Sequence, residues 1–172
     1  MLETARLRLR PARLTDLEPL HAIFSDPRAM RYWDRPAFDD ISMTLAFLRD
    51  LIAGGVDNIE YVIEHDGRCI GKAGMWRAPE IGYILHPDYW QQGFGHEALS
   101  AIIAEIRRQR PDLPRLTAEL DPRNTGSWRL LTKLGFRHLR TEEKVFLYGG
   151  TEWCDSAYFE RVFEARPQNP VT

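Results

Sequence analysis

One segment of the chain constrains the fold more than any other. A strand pattern, a turn with two glycines and an amphipathic helix pattern follow one another between Glu80 and Pro111. The helix pattern consists of apolar residues at the spacing of one buried face, namely Ala98, Leu99, Ile102, Ile103 and Ile106. Because the first N–H groups of a helix lack intrahelical partners and the macrodipole is positive there, this end favours phosphate oxygens. The segment therefore predicts a turn that holds a phosphate chain.

The two glycines of this turn, Gly93 and Gly95, lack a Cβ and let the backbone approach an anion closely. A strand-to-helix turn also uses glycine for its geometry alone, so the context has to decide. The turn has no Gly-Lys-Ser/Thr ending and no third glycine. These absences argue against a nucleotide triphosphatase loop and a dinucleotide-binding fingerprint.

A second strand, turn and helix follow the first. The strand pattern of Leu116–Leu120 leads into a turn at Asp121–Asn124, and a short helix is predicted from Ser127 to Leu134. Gly135 ends that helix. In the preceding strand, Glu80–Leu85, the glycine at position 82 is typical of a bulge or a close ligand approach.

These motifs together resemble the GNAT superfamily of acyl-CoA-dependent N-acetyltransferases, and within it the Rim-type branch of ribosomal-protein N-terminal acetyltransferases. The likeness covers all but the last few residues. It is carried by Leu2–Arg10, Glu80–Tyr83, Trp90–Ala98, Asn124–Ser127, Lys133–Phe136 and Glu152–Ser156.

The chain departs from the general family pattern at two positions. Trp90 replaces the Arg or Gln that stands three residues before the first loop glycine, and Trp is common there in the Rim-type branch. Leu131 replaces the tyrosine that protonates departing CoA in many members. The first departure narrows the assignment to the Rim-type branch. The second means that another group protonates the departing CoA, or that no group does.

The resemblance implies a mixed α/β fold with a central sheet of about seven strands, splayed between two parallel strands and flanked by helices. The residue patterns agree with that order of elements. They predict a strand at Leu7–Arg10, a Thr15–Glu18 capping box that opens a helix burying Leu17, Leu20 and Phe24, and a helix from Asp39 to Ala53 with Ile41, Leu45, Leu48 and Ile52 on its buried face. They also predict hairpins that pair Ile59–Glu64 with Cys69–Trp76 and Phe136–Tyr148 with Glu152–Phe163.

Size and composition are those of one globular domain. We assign residues 1–165 to that domain and 166–172 to a flexible tail, in a chain of 172 residues that is 44% hydrophobic. A net charge of −2 and a pI of about 6.2 give no electrostatic case for nucleic-acid binding.

Cys69 and Cys154 have no metal-ligand spacing, so no metal is expected. The absence of an apolar signal core or membrane span predicts a cytoplasmic protein, and a homodimer through the late strands stays open.

The resemblance implies acetyl-CoA as cosubstrate, held between the strands Glu80–Leu85 and Leu116–Leu120. Backbone groups of Tyr83, Ile84 and Leu85 would pair with the pantetheine amides and polarise the thioester carbonyl. Backbone N–H groups of Gln91, Gln92, Gly93, Phe94, Gly95 and His96 would hold the pyrophosphate, and Asn124 and Ser127 would contact the cofactor from the other side. Taken alone, Asn124 reads as a helix cap and Glu97 as a dipole partner in the first helical turn.

Acetyl transfer to an amine requires a group that takes the amine proton. The Glu-Ile-Gly-Tyr pattern assigns that role to Glu80, with Glu119 and Asp121 as rivals. Ser127 is the candidate donor to the CoA thiolate, and Tyr148 is an alternative. Direct attack in a ternary complex needs no cysteine nucleophile, so Cys154 is expected to be a packed thiol.

The acceptor pocket is expected to use Trp33, Trp76, Trp153 and Asp155, together with Tyr32 and Phe38 of the early loop. Asp155 would bind an ammonium group or pair with a nearby arginine. The acceptor classes left open are a protein N-terminus, a free amino acid, a polyamine and an aminoglycoside. The alternative function is a non-catalytic acyl-CoA-binding sensor or interaction module with the same fold, which the departure at Leu131 favours.

Overall fold

The computed structural model describes residues 1–164, which form one mixed sheet with helices on both faces. The predicted tail at 166–172 lies outside the described residues. The strands are β1 (Leu2–Glu3), β2 (Arg8–Arg10), β3 (Ile59–His65), β4 (Arg68–Arg77), β5 (Glu80–Leu85), β6 (Arg115–Leu120), β7 (Arg137–Tyr148) and β8 (Glu152–Val162). The helices are α1 (Leu17–Phe24), α2 (Pro27–Met30), α3 (Ile41–Ala53), α4 (Phe94–Gln109) and α5 (Thr125–Lys133), with short 3-10 turns at Leu14–Asp16 and Pro87–Tyr89.

The eight strands lie in the order β1-β2-β3-β4-β5-β6-β8-β7. The eighth strand beyond the expected seven or so is the two-residue β1 at the edge. Among the described strands, only β5 and β6 pair in parallel, and their register holds at a single pair, Glu80 with Thr117. The Thr117 amide donates to the Pro79 carbonyl at 2.9 Å. Beyond this pair the two strands diverge and leave an opening in the middle of the sheet.

The two faces of the sheet carry separate apolar clusters. Side chains alternate along a strand, so Ile81 packs in the cluster with α4 and α5, whereas Ile84 packs in the cluster with α1, α2 and α3. The Tyr83 and Leu85 side chains are on the α4 side. We call the side with α4 and α5 the cofactor face and the other side the acceptor face, after the positions that the resemblance to the GNAT superfamily implies for the two substrates.

The expected buried face of α3 is confirmed at Leu48, which is fully buried, but is wrong at both ends of the helix. Ile41 and Ile52 are 37% and 43% exposed, and Thr44, which was not expected there, is fully buried. The helix is rotated because the Thr44 hydroxyl meets His21 Nδ1 at 2.8 Å and the Phe47 ring lies 4.7 Å from that of Phe24. The bounds of the helix agree with the expectation: the Asp40 carboxylate accepts from the Ser42 amide, and Gly54 (φ 62°) ends it.

The predicted capping box at Thr15 is also wrong, although the helix exists and buries Leu20 and Phe24. A 3-10 turn precedes α1, and the carboxylate of Asp16 accepts from the Arg13 amide at 2.8 Å. The same carboxylate binds the buried Arg10 guanidinium through contacts of 2.6 and 2.8 Å. The Asp16 carboxylate therefore binds a buried arginine and takes the capping role that was expected of Thr15.

The remaining predicted elements are confirmed. Helix α4 buries the five predicted apolar residues and also Phe94. Asp66 (φ 49°) and Gly67 (φ 75°) close the β3–β4 hairpin in the doubly left-handed turn that two-residue loops favour. Within residues 1–164, no helix has the length and apolar character needed to cross a bilayer.

Candidate functional site

The opening between β5 and β6 exposes backbone groups that have no partner strand. In a strand, successive residues direct their N–H and C=O groups to alternate edges. The Pro79 carbonyl points to β6, so those of Ile81, Tyr83 and Leu85 do so as well. The Ile84 carbonyl instead lies against Gly71 of β4, where a side chain would collide with it. Tyr83 and Leu85 thus face the opening as expected, and the carbonyl of Ile84 does not.

At one end of the opening, the loop before α4 presents unpaired amides. Gly93 (φ 85°) is the residue before the helix, and the first intrahelical bond runs from the Glu97 amide to its carbonyl at 3.0 Å. The amides of Phe94, Gly95 and His96 therefore have no intrahelical partner. Gln91 has a positive φ of 59°, which is uncommon for a residue with a side chain. The loop therefore forms a cradle of backbone amides, a geometry that suits an anion.

Gly95 allows the cradle to sit close to its neighbours. A Cβ at this position would lie 3.1 Å from Leu130 Cδ2 of α5 and 3.5 Å from Leu85 Cδ1. These distances show that α4 approaches both the end of β5 and the middle of α5 because position 95 has no side chain. Packing by itself therefore requires a glycine at position 95, in addition to any need for a ligand to approach the backbone.

Arg6 braces the cradle, and pattern analysis of the sequence did not single it out. Its guanidinium donates to the Gln92 carbonyl at 3.0 Å and to Glu97 at 2.7 Å, and lies 4.3 Å from the centre of the Phe94 ring. Burial opposes ionisation of Glu97, but hydrogen bonds from Thr4 and Arg6 prevail and lower its pKa. Glu97 is thus held by the N-terminal segment. Arg6 is too far along the chain from the loop for local spacing to have found it.

Trp90 fastens the same loop to β5. Its indole N–H donates to the Leu85 carbonyl at 2.9 Å, and the Gln92 side-chain amide donates to the Asp88 carbonyl at 2.7 Å. The tryptophan at the position of the general family's Arg or Gln therefore fixes the turn through its indole.

On the far side of the opening, α5 brings a hydroxyl pair together. Asn124 caps the helix by accepting from the Ser127 amide at 3.0 Å. Burial raises the pKa of Tyr83 to about 12, and the Ser127 side chain, which lies near the Tyr83 hydroxyl, opposes that rise. Leu131 is fully buried in the core. Hydroxyls are therefore present at the opening although position 131 has none.

Glu80 lies on the acceptor face where the β5–β6 pairing ends. Its side chain is 23% exposed and accepts from Arg77 Nη2 at 3.1 Å. The Trp76 indole lies over Gly82 next to it. The opening thus joins an anion cradle on one face to a carboxylate on the other.

The sequence profile of the family described as Acetyltransferase (GNAT) domain matches residues 6–137. This chain belongs to the GNAT acetyltransferase family. It is 32% identical over 158 residues to the uncharacterized N-acetyltransferase p20 of Bacillus licheniformis, covering 84% of this chain and 88% of that protein. The chain is accordingly an N-acetyltransferase.

Solved GNAT structures superpose over nearly the whole chain. An acetyltransferase from Salmonella typhimurium that modifies the N-terminal serine of 50S ribosomal subunit protein L7/L12 has a TM-score of 0.80 at 18% identity, covering 94% of this chain and 97% of that one. The microcin C7 self-immunity acetyltransferase MccE, in complex with acetyl-CoA and AMP, has a TM-score of 0.79 at 18% identity, covering 93% and 94%. These likenesses show a common fold.

Of the two rival carboxylates, Asp121 is paired with an arginine and Glu119 is exposed. Asp121 is buried and paired with Arg123; burial opposes its ionisation, but the hydrogen bonds from Arg123 prevail and lower its pKa. Glu119 is exposed on β6. Cys154 is buried, with its Sγ 3.2 Å from Arg123 Nη2. Asp121 is therefore occupied by an arginine.

The structure places the aromatic residues expected at the acceptor pocket in different surroundings. Trp33 is half-buried on the acceptor face, edge-on to Phe24 at 5.5 Å, and Trp76 lies beside Glu80 on the same face. Phe38 is buried in the core, where it stacks on Phe24 at 5.3 Å, so it forms no pocket wall. Tyr32 is half-buried, with the Arg31 guanidinium 5.5 Å from its ring.

Trp153 and Asp155 are not brought together with Trp76. Because side chains alternate along β8, Trp153 and Asp155 lie on the same face as Ala157 and Phe159, which pack in the apolar cluster of the cofactor face. The Asp155 carboxylate accepts from the Lys144 amide at 2.9 Å and thereby supports the irregular part of β7. The Tyr148 hydroxyl donates to the Met30 carbonyl at 3.2 Å, which ties the closing hairpin to α2.

Proposed function

We propose that this GNAT protein transfers the acetyl group of acetyl-CoA to a primary amine by direct attack in a ternary complex. The observation that carries the proposal is the single β5–β6 pair at Glu80, beyond which the sheet opens between an anion cradle and a carboxylate. Such an opening lets a thioester and an amine approach each other from opposite faces. Action in the cytoplasm and a homodimer remain predictions.

The residues at the opening fit a CoA thioester. The left-handed Gly93 and the free amides at the start of α4 suit the pyrophosphate, because backbone N–H groups and the helix dipole both attract negative charge. Backbone groups of Tyr83 and Leu85 suit the pantetheine amides, and Asn124 and Ser127 lie on the opposite side. When bound, acetyl-CoA supplies an activated acetyl group, and this chain holds and polarises it.

Glu80 is the group proposed to take the amine proton. An α-amine titrates at about 7.7–8.0 and a lysine side chain near 10.4, so an α-amine requires less help to become a neutral nucleophile. The amine nitrogen forms the bond to the acetyl carbon, and the carbon–sulfur bond breaks. Because a thiol of pKa about 8.5 is a fair leaving group, modest donation from Ser127 suffices in place of the tyrosine absent at position 131.

The acceptor class is a primary amine, either a protein N-terminus or a small-molecule amine. The Salmonella relative modifies a protein N-terminus, and a spermidine N-acetyltransferase from Vibrio cholerae has the same fold, so the shared fold serves different acceptors. The fold by itself does not select between them.

The experiment that tests this function measures CoA thiol release from acetyl-CoA with N-terminal peptides, free amino acids, polyamines and aminoglycosides as acceptors. Selective release with one class would support the enzyme and identify its acceptor. CoA binding without release for any amine would instead support the non-catalytic sensor that the absence of a tyrosine at 131 suggests.

A further inference from the structure

A β-bulge places an aromatic surface at the acceptor side of the opening. The β4–β5 register passes from Met75 opposite Ile81 to Arg77 opposite Glu80, which leaves Trp76 as an extra residue. A bulge of this kind redirects a side chain. The Trp76 indole consequently covers Gly82, where a Cβ would lie 3.4 Å from Trp76 Cδ1, and the residue stays 40% exposed.

A cation already occupies this aromatic surface. The Arg77 guanidinium carbon lies 4.6 Å from the centre of the Trp76 ring, and Arg77 Nη2 lies 3.1 Å from Glu80 Oε2. A ring face and a carboxylate together form the arrangement that binds organic cations. The guanidinium therefore lies at the position where the charged amine of an acceptor would gain the most binding free energy.

Arg77 is the part of this arrangement that is easily moved. Its side chain is 70% exposed, whereas the side chain of Glu80 is only 23% exposed. An exposed ion pair contributes little to the free energy of folding, and a guanidinium that moves away from its partner is hydrated by solvent again. Trp76 is held in place by its contact with Gly82 and by the bulge.

We propose that Trp76 and Glu80 form a binding site for the primary ammonium group of the acceptor, and that Arg77 occupies this site until the acceptor displaces it. The proposal rests on the proposed function, because it assigns the acceptor side of the same opening. Glu80 receives a proton from the bound ammonium and returns it to solvent. The neutral nitrogen then forms its bond to the acetyl carbon, the carbon–sulfur bond breaks, and the second nitrogen proton goes to the departing CoA sulfur.

The site defines a class of acceptor. A carboxylate next to the amine would face Glu80 and be repelled, so peptide N-termini and alkylamines are preferred over free amino acids. Among simple probes, alanine amide and n-butylamine represent the preferred class, and free alanine represents the disfavoured one.

Binding is tested without turnover by titrating N-ethylguanidinium, which copies the end of the Arg77 side chain. The readout is the NMR shift of the Trp76 indole N–H, assigned by its loss in Trp76→Phe. We expect Arg77→Ala to bind the probe about three- to fivefold more tightly than the wild-type protein, and Arg77→Ala/Glu80→Gln to lose that gain. Equal binding by the wild-type protein and Arg77→Ala would overturn the proposal.

Kinetics provide the second test, with Arg108→Ala as a matched control. Arg108 is also 70% exposed and also pairs with a glutamate three residues away, but on α4. We expect Arg77→Ala to lower the KM for alanine amide about three- to fivefold, and Arg108→Ala to leave both KM and kcat unchanged. Trp76→Ala should raise that KM about two- to thirtyfold, because the ring face is lost.

The two hypotheses fail differently. If CoA is released but KM is the same in the wild-type protein and Arg77→Ala, the ammonium site is wrong and the acetyltransferase function stands. If no amine releases CoA while Arg77→Ala still binds N-ethylguanidinium more tightly, the cation site stands and the proposed reaction is wrong.

Discussion

At the scale of single residues, Glu80 differs from the other carboxylates in its surroundings. Asp121 is buried in a salt bridge with Arg123, and Asp155 accepts a backbone hydrogen bond from Lys144. Of these three, Glu80 lies at the β5–β6 pair where the opening begins, and its partner is an exposed arginine. A proton acceptor must be free to change its protonation state near the substrate, which favours Glu80.

Replacing Glu80 by Gln is expected to lower kcat about 100-fold or more, because general-base catalysis contributes at least that factor. CoA affinity, measured by calorimetry, should stay unchanged because Glu80 lies on the acceptor face. Glu119→Gln, which removes an exposed carboxylate from the neighbouring strand, serves as the control and should retain activity. If both variants turn over like the wild-type protein, Glu80 is not the base.

Tyr83 provides a prediction on pH. Burial raises its pKa to about 12, so its phenol stays protonated at pH values where exposed tyrosines ionise. Since the unfolded-state pKa is about 10, the associated stability is complete below pH 10 and is lost as the pH rises from 10 towards 12. We expect alkaline absorbance titration of Tyr83→Phe to lack the component of highest pKa. Loss of a component near pH 10 would contradict this.

At the scale of elements, the loop before α4 combines two requirements in three residues. Gly93 adopts a left-handed conformation that exposes the amides, and Gly95 permits contact with α5 and β5. Arg6 and Trp90 fasten the loop from two directions, to the N-terminal segment and to the end of β5. The cradle is therefore rigid before a ligand arrives, which reduces the entropy cost of binding.

Gly93→Ala should weaken CoA binding and destabilise the fold by about 1 kcal/mol, because an L-residue is strained at φ 85°. Its Cβ would also lie 3.3 Å from Arg6 Nη2. Gly67→Ala, at φ 75° in a hairpin turn with open space around it, is the matched control. Calorimetry with CoA and thermal unfolding should show similar destabilisation in both variants and weaker CoA binding only in Gly93→Ala. Equal CoA affinities would show that the cradle does not hold the cofactor.

At the scale of the whole molecule, buried charges join distant parts of the chain. Arg10 of β2 is bound by Asp16 before α1 and by Glu64 of β3, and hydrogen bonding to Asp16 leads the effects that raise its pKa. A second network links the residue after α2, the turn after β6 and the closing hairpin, since Arg31 and Arg123 both bind Glu152. Both networks hold the segments that border the acceptor face.

Asp16→Ala is expected to destabilise the protein by about 3–5 kcal/mol, because Arg10 would keep its charge in a buried position with one partner fewer. Asp112→Asn, at an exposed pair with Arg110, should have little effect. Urea unfolding measures both. A loss for Asp16→Ala no larger than that of the control would mean that Arg10 reaches solvent in the variant.

The sequence by itself determined the order of the elements, the two-glycine turn before α4 and the position of Glu80 at the start of β5, because these depend on local periodicity, glycine and short motifs. Helix α4 and the β3–β4 hairpin agree with their patterns for this reason. The rotation of α3 could not be predicted, since it follows from His21 and Phe24, about twenty residues away.

Only the tertiary structure decided which side chains share a face of the opening. It placed Trp76 beside Glu80 and put Trp153 and Asp155 on the other side, through strand alternation and a register that no local pattern contains. It also brought Arg6 to the α4 cradle and Tyr83 to Ser127. The physical reason is that hydrogen bonds and burial between remote segments are fixed by the packing of the whole chain.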